Sequence, residues 1–407
     1  MELRDSRLDG IALVAFALKE RLRMRILVFC DNYPKPGRGY NDAFVRTRLE
    51  AYREELGAEI QVVKLNKHAC RDQPYELNGI RVISIGRAEL ATVVREFAPD
   101  VVLAHFIQAH LCDQLPLLTQ APLIVWVHGE EALSWTNRLF YLKTLSLPQF
   151  LRYVVRNHIQ RAAMKRLFRR ANAGGAIDFV FVSRWMREIA ESDVGQRLER
   201  ALEIPNYINT DQFHFSEKSE ADRRRILLIR SFDSAKYAND LAIDAIHQLA
   251  KTYPGFAQLQ FTIVGQGSLW DELTRGLEFP NVERINQMLD HDGIKAMHDR
   301  HGVFLCPTRQ DAQGVSMCEA MGSGLVPIAS DNTAIPEFVS TEEGYLTHGA
   351  DEIAAAIREL DEQPALFLDK SRKAGARTLA QTGWQATILR EVELIRERTS
   401  LLPVQAS

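Results

Sequence analysis

FLCPTRQDAQGVSMCEAMGSGLVPIASDNTAIPEFV, residues Phe304 to Val339, is the stretch that decides the fold. A short apolar run closes at Pro307, and a loop holding Asp311 and Gly314 follows. SMCEAM then reads as a helix start, which Gly322 and Gly324 end. LVPIAS is a second apolar run, and Ile335, Pro336 and Glu337 open another turn. Strand, loop, helix, strand is a βαβ unit. Its loop lies at the carboxyl end of the strand, where open α/β sheets bind ligands. Asp311 and Glu319 bracket a glycine at the head of the helix. Free backbone N–H groups there suit phosphate, and flanking carboxylates suit sugar hydroxyls. The combination points to a nucleotide-sugar.

The same alternation runs outward in both directions. Upstream, RILVFC, EIQVVKL, IRVISI, VVLAHF (from Asp100), PLIVWVHG and IDFVFVS read as strands. NDAFVRTRLEAYREEL, LATVVREF and RWMREIAE have helical spacing, as does a long region from about Asn137 to Arg170. A second half begins with RILLIRSF after Arg224. There LQFTIVG, NVERIN and VFLCPT are strands, between the helices NDLAIDAIHQLAKTY, SLWDELTRGL and DGIKAMHDR. Such alternation argues for two parallel sheets with helices on both faces. EIPNYINTDQFHF is polar and proline-bearing and reads as the hinge, and WQATILREVELIRERT is a final helix.

The Phe304–Val339 unit resembles the donor-binding signature of glycosyltransferase family 4 (glycosyl transferases group 1), a retaining family. The family pattern is an acidic residue, seven residues, then Glu, with Gly-Leu or Gly-Val and a small polar residue between. Here it reads D-AQGVSMC-E, with Asp311 where the family has Glu, of equal charge and shorter reach. E-A-M, G-S-G-L-V-P and I-P-E match downstream, and the hinge matches the family's I-P-N turn. The resemblance covers most of the chain and thins at both ends. It implies an α/β chain of GT-B fold, two Rossmann-like domains facing a central cleft. The expected division is an extension over 1–23, an acceptor domain over 24–208, a donor domain over 209–385, and a helix in 386–407 crossing back to the first domain.

The resemblance also implies the site. Gly314, Val315 and Ser316 are expected to meet the donor diphosphate through the helix head. Glu319 is expected to accept the ribose hydroxyls, and Asp311 those of the donor sugar. Arg230 and Lys236 flank the loop IRSFDSAKYAND and keep the cation spacing of the family's G-R-…-K-G, although Ser231 follows Arg230 and Tyr237 follows Lys236. Fixed cations there stabilise a departing diphosphate more in the transition state than in the ground state. VGQGSLWDEL carries Gly265 and Gly267, read either as the family's glycine loop beneath the nucleotide or as a tight turn. Its third glycine is missing, so it does not read as a dinucleotide fingerprint. His128 ends the strand VWVH where the sheet meets the cleft and matches a family His that contacts the donor sugar. Glu130 and Glu131 are acceptor-side candidates. Gly37 and Gly39 follow the first strand, in a loop that approaches phosphate or acceptor, or is plain surface. Glu337 is either a site residue or a helix cap.

Composition bounds the rest. The 407 residues suffice for two or three domains. A net charge of −3 gives no whole-chain argument for nucleic acid. Cys30, Cys70, Cys112, Cys306 and Cys318 are odd in number and scattered, which favours reduced thiols in a cytoplasmic setting. No run reaches the roughly 20 apolar residues of a membrane span. The mixed opening MELRDSRLDGIALVAFALKERLR reads as an extension before a start at Met24, in preference to a membrane-contacting helix. From Arg138 to Arg170 there is no acidic residue. That basic helical region reads as an anionic-membrane surface, ahead of a packed helix pair with a solvated basic face and ahead of a polyanion site. The expected activity is transfer of a sugar from a nucleoside-diphosphate sugar to a carbohydrate or lipid-linked hydroxyl in cell-surface polysaccharide or glycolipid synthesis. No metal or cofactor is expected, and the setting would be cytoplasmic or the inner face of the cell membrane. A nucleotide-sugar epimerase and a catalytically silent nucleotide-sugar binder are the alternatives.

Overall fold

Near-continuous apolar strands need cover on both faces, and this chain supplies it twice. The computed structural model describes residues 23–35, 43–65 and 73–400. The loop of Gly37 and Gly39 and residues 1–22 of the expected extension lie outside them.

The first sheet holds β1 (Arg25–Phe29), β2 (Glu59–Leu65), β3 (Tyr75–Leu77), β4 (Ile80–Ile85), β5 (Val101–His105), β6 (Leu123–Val127), β7 (Ile177–Phe181) and β8 (Leu202–Glu203). Its order is β3-β4-β2-β1-β5-β6-β7-β8, parallel except for the β3–β4 hairpin. The second sheet holds β9 (Arg225–Ile229), β10 (Gln260–Val264), β11 (Val282–Ile285), β12 (Val303–Cys306), β13 (Val326–Ser330) and β14 (Tyr345–Thr347), all parallel, in the order β11-β10-β9-β12-β13-β14. After β9 the chain moves outward to β10 and β11, then returns to β12 on the other side of β9. That reversal is a topological switch point. It parts the helices and leaves a crevice outside the carboxyl ends of β9 and β12.

The helix Ile388–Ser400 packs on the first domain. Ile388, Val392 and Ile395 share a core with Ile26, Leu49 and Trp126. At its centre Glu391 is fully buried. It accepts from Arg48 Nε at 2.8 and 3.1 Å, Tyr52 Oη at 2.5 Å and Trp126 Nε1 at 3.1 Å.

The long helical region expected from about Asn137 to Arg170 is built of two pieces: a 3₁₀ segment, Trp135–Lys143, bent at Arg138, and the helix Leu147–Asn172. Ser146 and Gln149 form a capping box ahead of Pro148, which starts that helix afresh. SLWDELTRGL is helical only over Trp270–Thr274, where Arg284 Nη1 donates to the Thr274 carbonyl and ends the turn.

Candidate active site

The loop after β9 carries Arg230, and the loop after β12 carries Asp311 and Gly314, so the switch point brings the two loops together. Arg230 is buried, and its Nε and Nη2 have no hydrogen-bond partner. Its guanidinium lies over the Tyr237 ring at 5.5 Å, and Lys236 Nζ lies 5.4 Å from that ring's centroid. A buried guanidinium with free donors costs free energy unless an anion takes them. Burial also pushes the nearby Cys306 thiol up to about 12, with Arg230 pulling the other way.

The helix Val315–Gly322 begins at Gly314, whose φ of +80° favours a residue without Cβ. The first N–H groups of a helix have no partner within it, so Val315 and Ser316 present theirs at this head. Ser316 Oγ is buried and unpartnered. The N–H of Gly314 itself is occupied: it donates to Asp311 Oδ1 at 3.0 Å. Asp311 thus ties down the loop with one oxygen, and the Asp311 N–H donates to Thr333 Oγ1. Burial pushes the Glu319 carboxyl up to about 8, against the pull of Arg230. Burial thus favours the uncharged carboxyl beside Arg230.

Gly265 and Gly267 are needed for close backbone packing, and Gly267 also lines the neighbouring cavity. A Cβ on Gly265 would lie 2.1 Å from the Arg230 carbonyl oxygen, and one on Gly267 would lie 2.2 Å from the Phe232 carbonyl carbon. Backbone packs on backbone here, which seats the Arg230 loop on the end of β10. Beside it is a cavity of about 530 Å³ lined by Ser231, Asp233, Gln266, Trp270, Asn286 and Met288.

The first domain contributes the other wall. His128 follows β6; its Nε2 is 3.1 Å from His105 Nδ1, and its ring packs on Phe106 and Phe44. Burial, then the charge of Arg48, holds His128 well below its ordinary pKa. Glu131 is turned inward and accepts from the His128 and Gly129 N–H groups, which makes it a brace for this loop rather than an acceptor-side group. Burial pushes its carboxyl up to about 7, the His128 N–H opposing. Glu130 faces outward and takes Arg138 Nη1 at 2.7 Å and Tyr141 Oη at 2.8 Å. Arg138 and Tyr141 hold its carboxyl below the ordinary value, with Lys236 of the second domain adding to the pull.

Several contacts close the cleft from both sides. Gln313 accepts from the Asn206 N–H at 2.6 Å and donates to its carbonyl at 3.0 Å, clipping the donor loop to the linker. Gln310 Nε2 donates to the Asn137 carbonyl at 3.2 Å. Glu337 caps a helix, but one in the other domain: it accepts from the N–H groups of Arg184 and Trp185 at 3.0 and 2.7 Å. Asn206 lies in the I-P-N turn and Gln313 in the D-AQGVSMC-E stretch, but neither motif says that the two side chains meet; His105 is not marked by any motif. A His at the end of each of two strands was the one available signal for the pair His105 and His128.

Residues 223–363 match the family model described as Glycosyl transferases group 1. The second domain is a glycosyl transferases group 1 domain. The whole chain is similar in fold to solved structures at low identity. Sucrose-phosphate synthase from Thermosynechococcus elongatus matches with TM-score 0.70 and 16% identity, over 93% of this chain and 100% of the other. HepE of Anabaena, solved in complex with UDP and glucose, matches with TM-score 0.66 and 17% identity over the same shares. An E. coli structure named for trehalose-6-phosphate and bound with UDP-2-fluoro glucose matches with TM-score 0.62 and 12% identity, again over 93% and 100%. No curated protein sequence matches the chain. The two facing sheets are the GT-B fold. In this glycosyltransferase domain the unpaired Arg230, Lys236 and the Val315 helix head converge on one side of the cleft, with His128 on the other wall.

Proposed function

We propose that the chain is a retaining glycosyltransferase that moves a sugar from a nucleoside-diphosphate sugar to a hydroxyl acceptor in cell-surface polysaccharide or glycolipid synthesis. The observation that carries this is the Arg230 guanidinium, buried at the switch point with two donors, Nε and Nη2, that have no hydrogen-bond partner. A diphosphate suits that arrangement together with the helix head, because its oxygens take guanidinium and backbone donors together. The adjoining cavity has room for the base. Glu319 would accept the ribose hydroxyls, and the second oxygen of Asp311 those of the donor sugar.

In the transfer the bond from the anomeric carbon to the phosphate oxygen breaks, and charge gathers on the diphosphate. Arg230, Lys236 and the helix head stabilise that charge. The acceptor oxygen attacks from the same face, and its proton passes to the departing phosphate oxygen. UDP-glucose is the first donor to test, since HepE was solved with UDP and glucose. Calorimetric titration of UDP, GDP, ADP and CMP against wild type and Arg230→Met decides the matter. Binding of one diphosphate, weakened at least tenfold in the variant, supports the reading; no binding by any of them rejects it.

The setting is the inner face of a membrane. Among the described residues no helix is long and apolar enough to span one. The helix Leu147–Asn172 buries one apolar face, including Phe150, Met164 and Phe168, yet Leu147, Leu151, Val155 and Ile159 on the opposite side are each more than half exposed. Four apolar residues at a spacing of four form a stripe about 18 Å long. Arg152, Arg156 and Lys143 are exposed near it. Much of the remaining basic run is engaged within the protein: Arg138 by Glu130, Arg161 by the Asp193 carbonyl, and Arg166 by Asp113. An apolar stripe bordered by a few free cations fits the interface of an anionic bilayer. Sedimentation with phosphatidylglycerol vesicles should carry the wild type down and leave Leu151→Asp in solution; equal binding would reject the stripe.

A further inference from the structure

His105 and His128 end adjacent parallel strands, and their imidazoles meet edge to edge, Nδ1 to Nε2, at 3.1 Å. His105 is 2% exposed and stacks on Trp126 with centroids 4.8 Å apart. Its other nitrogen, Nε2, is buried with no partner. Burial keeps both rings neutral, and the charge of Arg48 acts in the same direction. One proton must therefore sit between the facing nitrogens, and it belongs to one ring or the other.

The buried Nε2 decides which. If His128 supplied the proton, His105 would carry its own on Nε2, as a buried N–H with no acceptor. If His105 supplies it from Nδ1, the Nε2 keeps only an unfilled lone pair. Orphaned buried donors are rarer than under-satisfied acceptors. With its Nε2 accepting from His105, His128 has one proton left, on Nδ1, and Nδ1 is its one nitrogen free for a ligand.

We infer that His105 is a positioning residue that fixes His128 in the Nδ1–H tautomer and so makes it a neutral hydrogen-bond donor to a substrate oxygen, not a base. Phe44 and Phe106 hold the plane of the His128 ring, and His105 holds its proton. The functional half of this inference rests on the proposed transfer site; the tautomer does not.

The test uses the full chain with ¹⁵N-labelled histidine and reads the tautomer of His128 from two-bond ¹H–¹⁵N correlations, assigned by their loss in His128→Gln. Wild type should show His128 protonated on Nδ1. His105→Asn offers an N–H near the position of the imidazole Nδ1 and should preserve that state. His105→Phe keeps an aromatic ring against Trp126 but offers no donor, and should shift His128 toward Nε2–H. Donor turnover should follow: kcat about tenfold lower in His105→Phe, about the worth of one well-placed hydrogen bond, with KM little changed and most of kcat retained in His105→Asn. Nε2–H in the wild type, or the same tautomer in wild type and His105→Phe, overturns the inference. The expected shift with unchanged kcat overturns its functional half. If no nucleotide-sugar is turned over at all, the proposed function fails while the spectra still decide the tautomer.

Discussion

Arg48 and Arg230 are both buried, and they are used in opposite ways. Arg48 faces a carboxylate on the helix that returns from the far end of the chain, and Glu391 takes two of its contacts while Asn206 takes a third at 3.3 Å. Arg230 faces a carboxyl whose burial favours the uncharged form, and two of its nitrogens have no partner. The first arginine is paired with a carboxylate of its own chain, although its Nη1 has no partner, and it joins the C-terminal helix to the first sheet. The second, on the proposed function, is answered by the diphosphate of the donor. Burial alone therefore does not separate a structural charge from one that the proposed function would use.

The largest effect should come from Arg230. Arg230→Met removes a fixed donor aimed at a developing charge, and turnover of the donor should fall by about 10²–10³-fold. The apo protein should not lose stability, because an uncompensated buried charge leaves with the side chain. Kinetics and urea unfolding on the same preparation read both halves. A variant that unfolds early would put Arg230 in the same class as Arg48 and break the contrast.

Arg48→Met should do the reverse. It strands Glu391 in the core and should cost about 3–5 kcal/mol in urea unfolding. Replacing both partners, Arg48→Met with Glu391→Leu, should recover much of that loss, since an apolar pair avoids the desolvation of two charges. Tyr52 and Trp126 would lose their acceptor, so recovery should be incomplete.

The state of Glu319 gives the comparison a pH axis. Its folded pKa of about 8 lies above the ordinary 4.5. Between those values the native state holds a proton that the unfolded chain has released, so stability falls as pH rises through that window. Glu131, raised to about 7, adds to the same slope. Glu319→Gln should flatten the fall, most visibly from pH 6 to pH 8, when the midpoint of urea unfolding is followed without ligand. An unchanged slope would mean that Glu319 is ionised and that Arg230 has its counter-ion after all.

The donor unit was legible because its parts are local. Asp311, Gly314 and Glu319 sit within one loop and two helical turns, so spacing alone brings them near one another. The alternation of apolar runs points to parallel sheets, but the strand order that delivers Arg230 to them is seen only in the fold. What the chain hides is anything that depends on distant partners. Arg48 and Glu391 are 343 residues apart. The acid-free run from Arg138 to Arg170 looks unopposed on paper, yet Glu130, Asp113 and Asp193 answer part of it from elsewhere. The glycines at 265 and 267 carry a motif, but the motif does not say that the crowding atoms are those of the Arg230 loop.

Glu337 tests the contrast at its mildest. It is a carboxylate answered by backbone, across the cleft, at the N-terminus of the helix Arg184–Val194. It is anchored on its own side, where Arg377 and Gln381 donate to its carbonyl oxygen. Glu337→Gln keeps one acceptor and loses the charge, so the helix dipole loses about 0.3–1 kcal/mol of stabilisation. That is too little to unfold either domain, but it acts on a contact joining the two. The expected result is a small fall in the unfolding midpoint together with faster limited proteolysis between the domains, both relieved by donor nucleotide if the ligand also spans the cleft. A fall in the midpoint with no change in proteolysis would confine Glu337 to capping, and the closure of the cleft would then rest on Gln313 and its grip on Asn206.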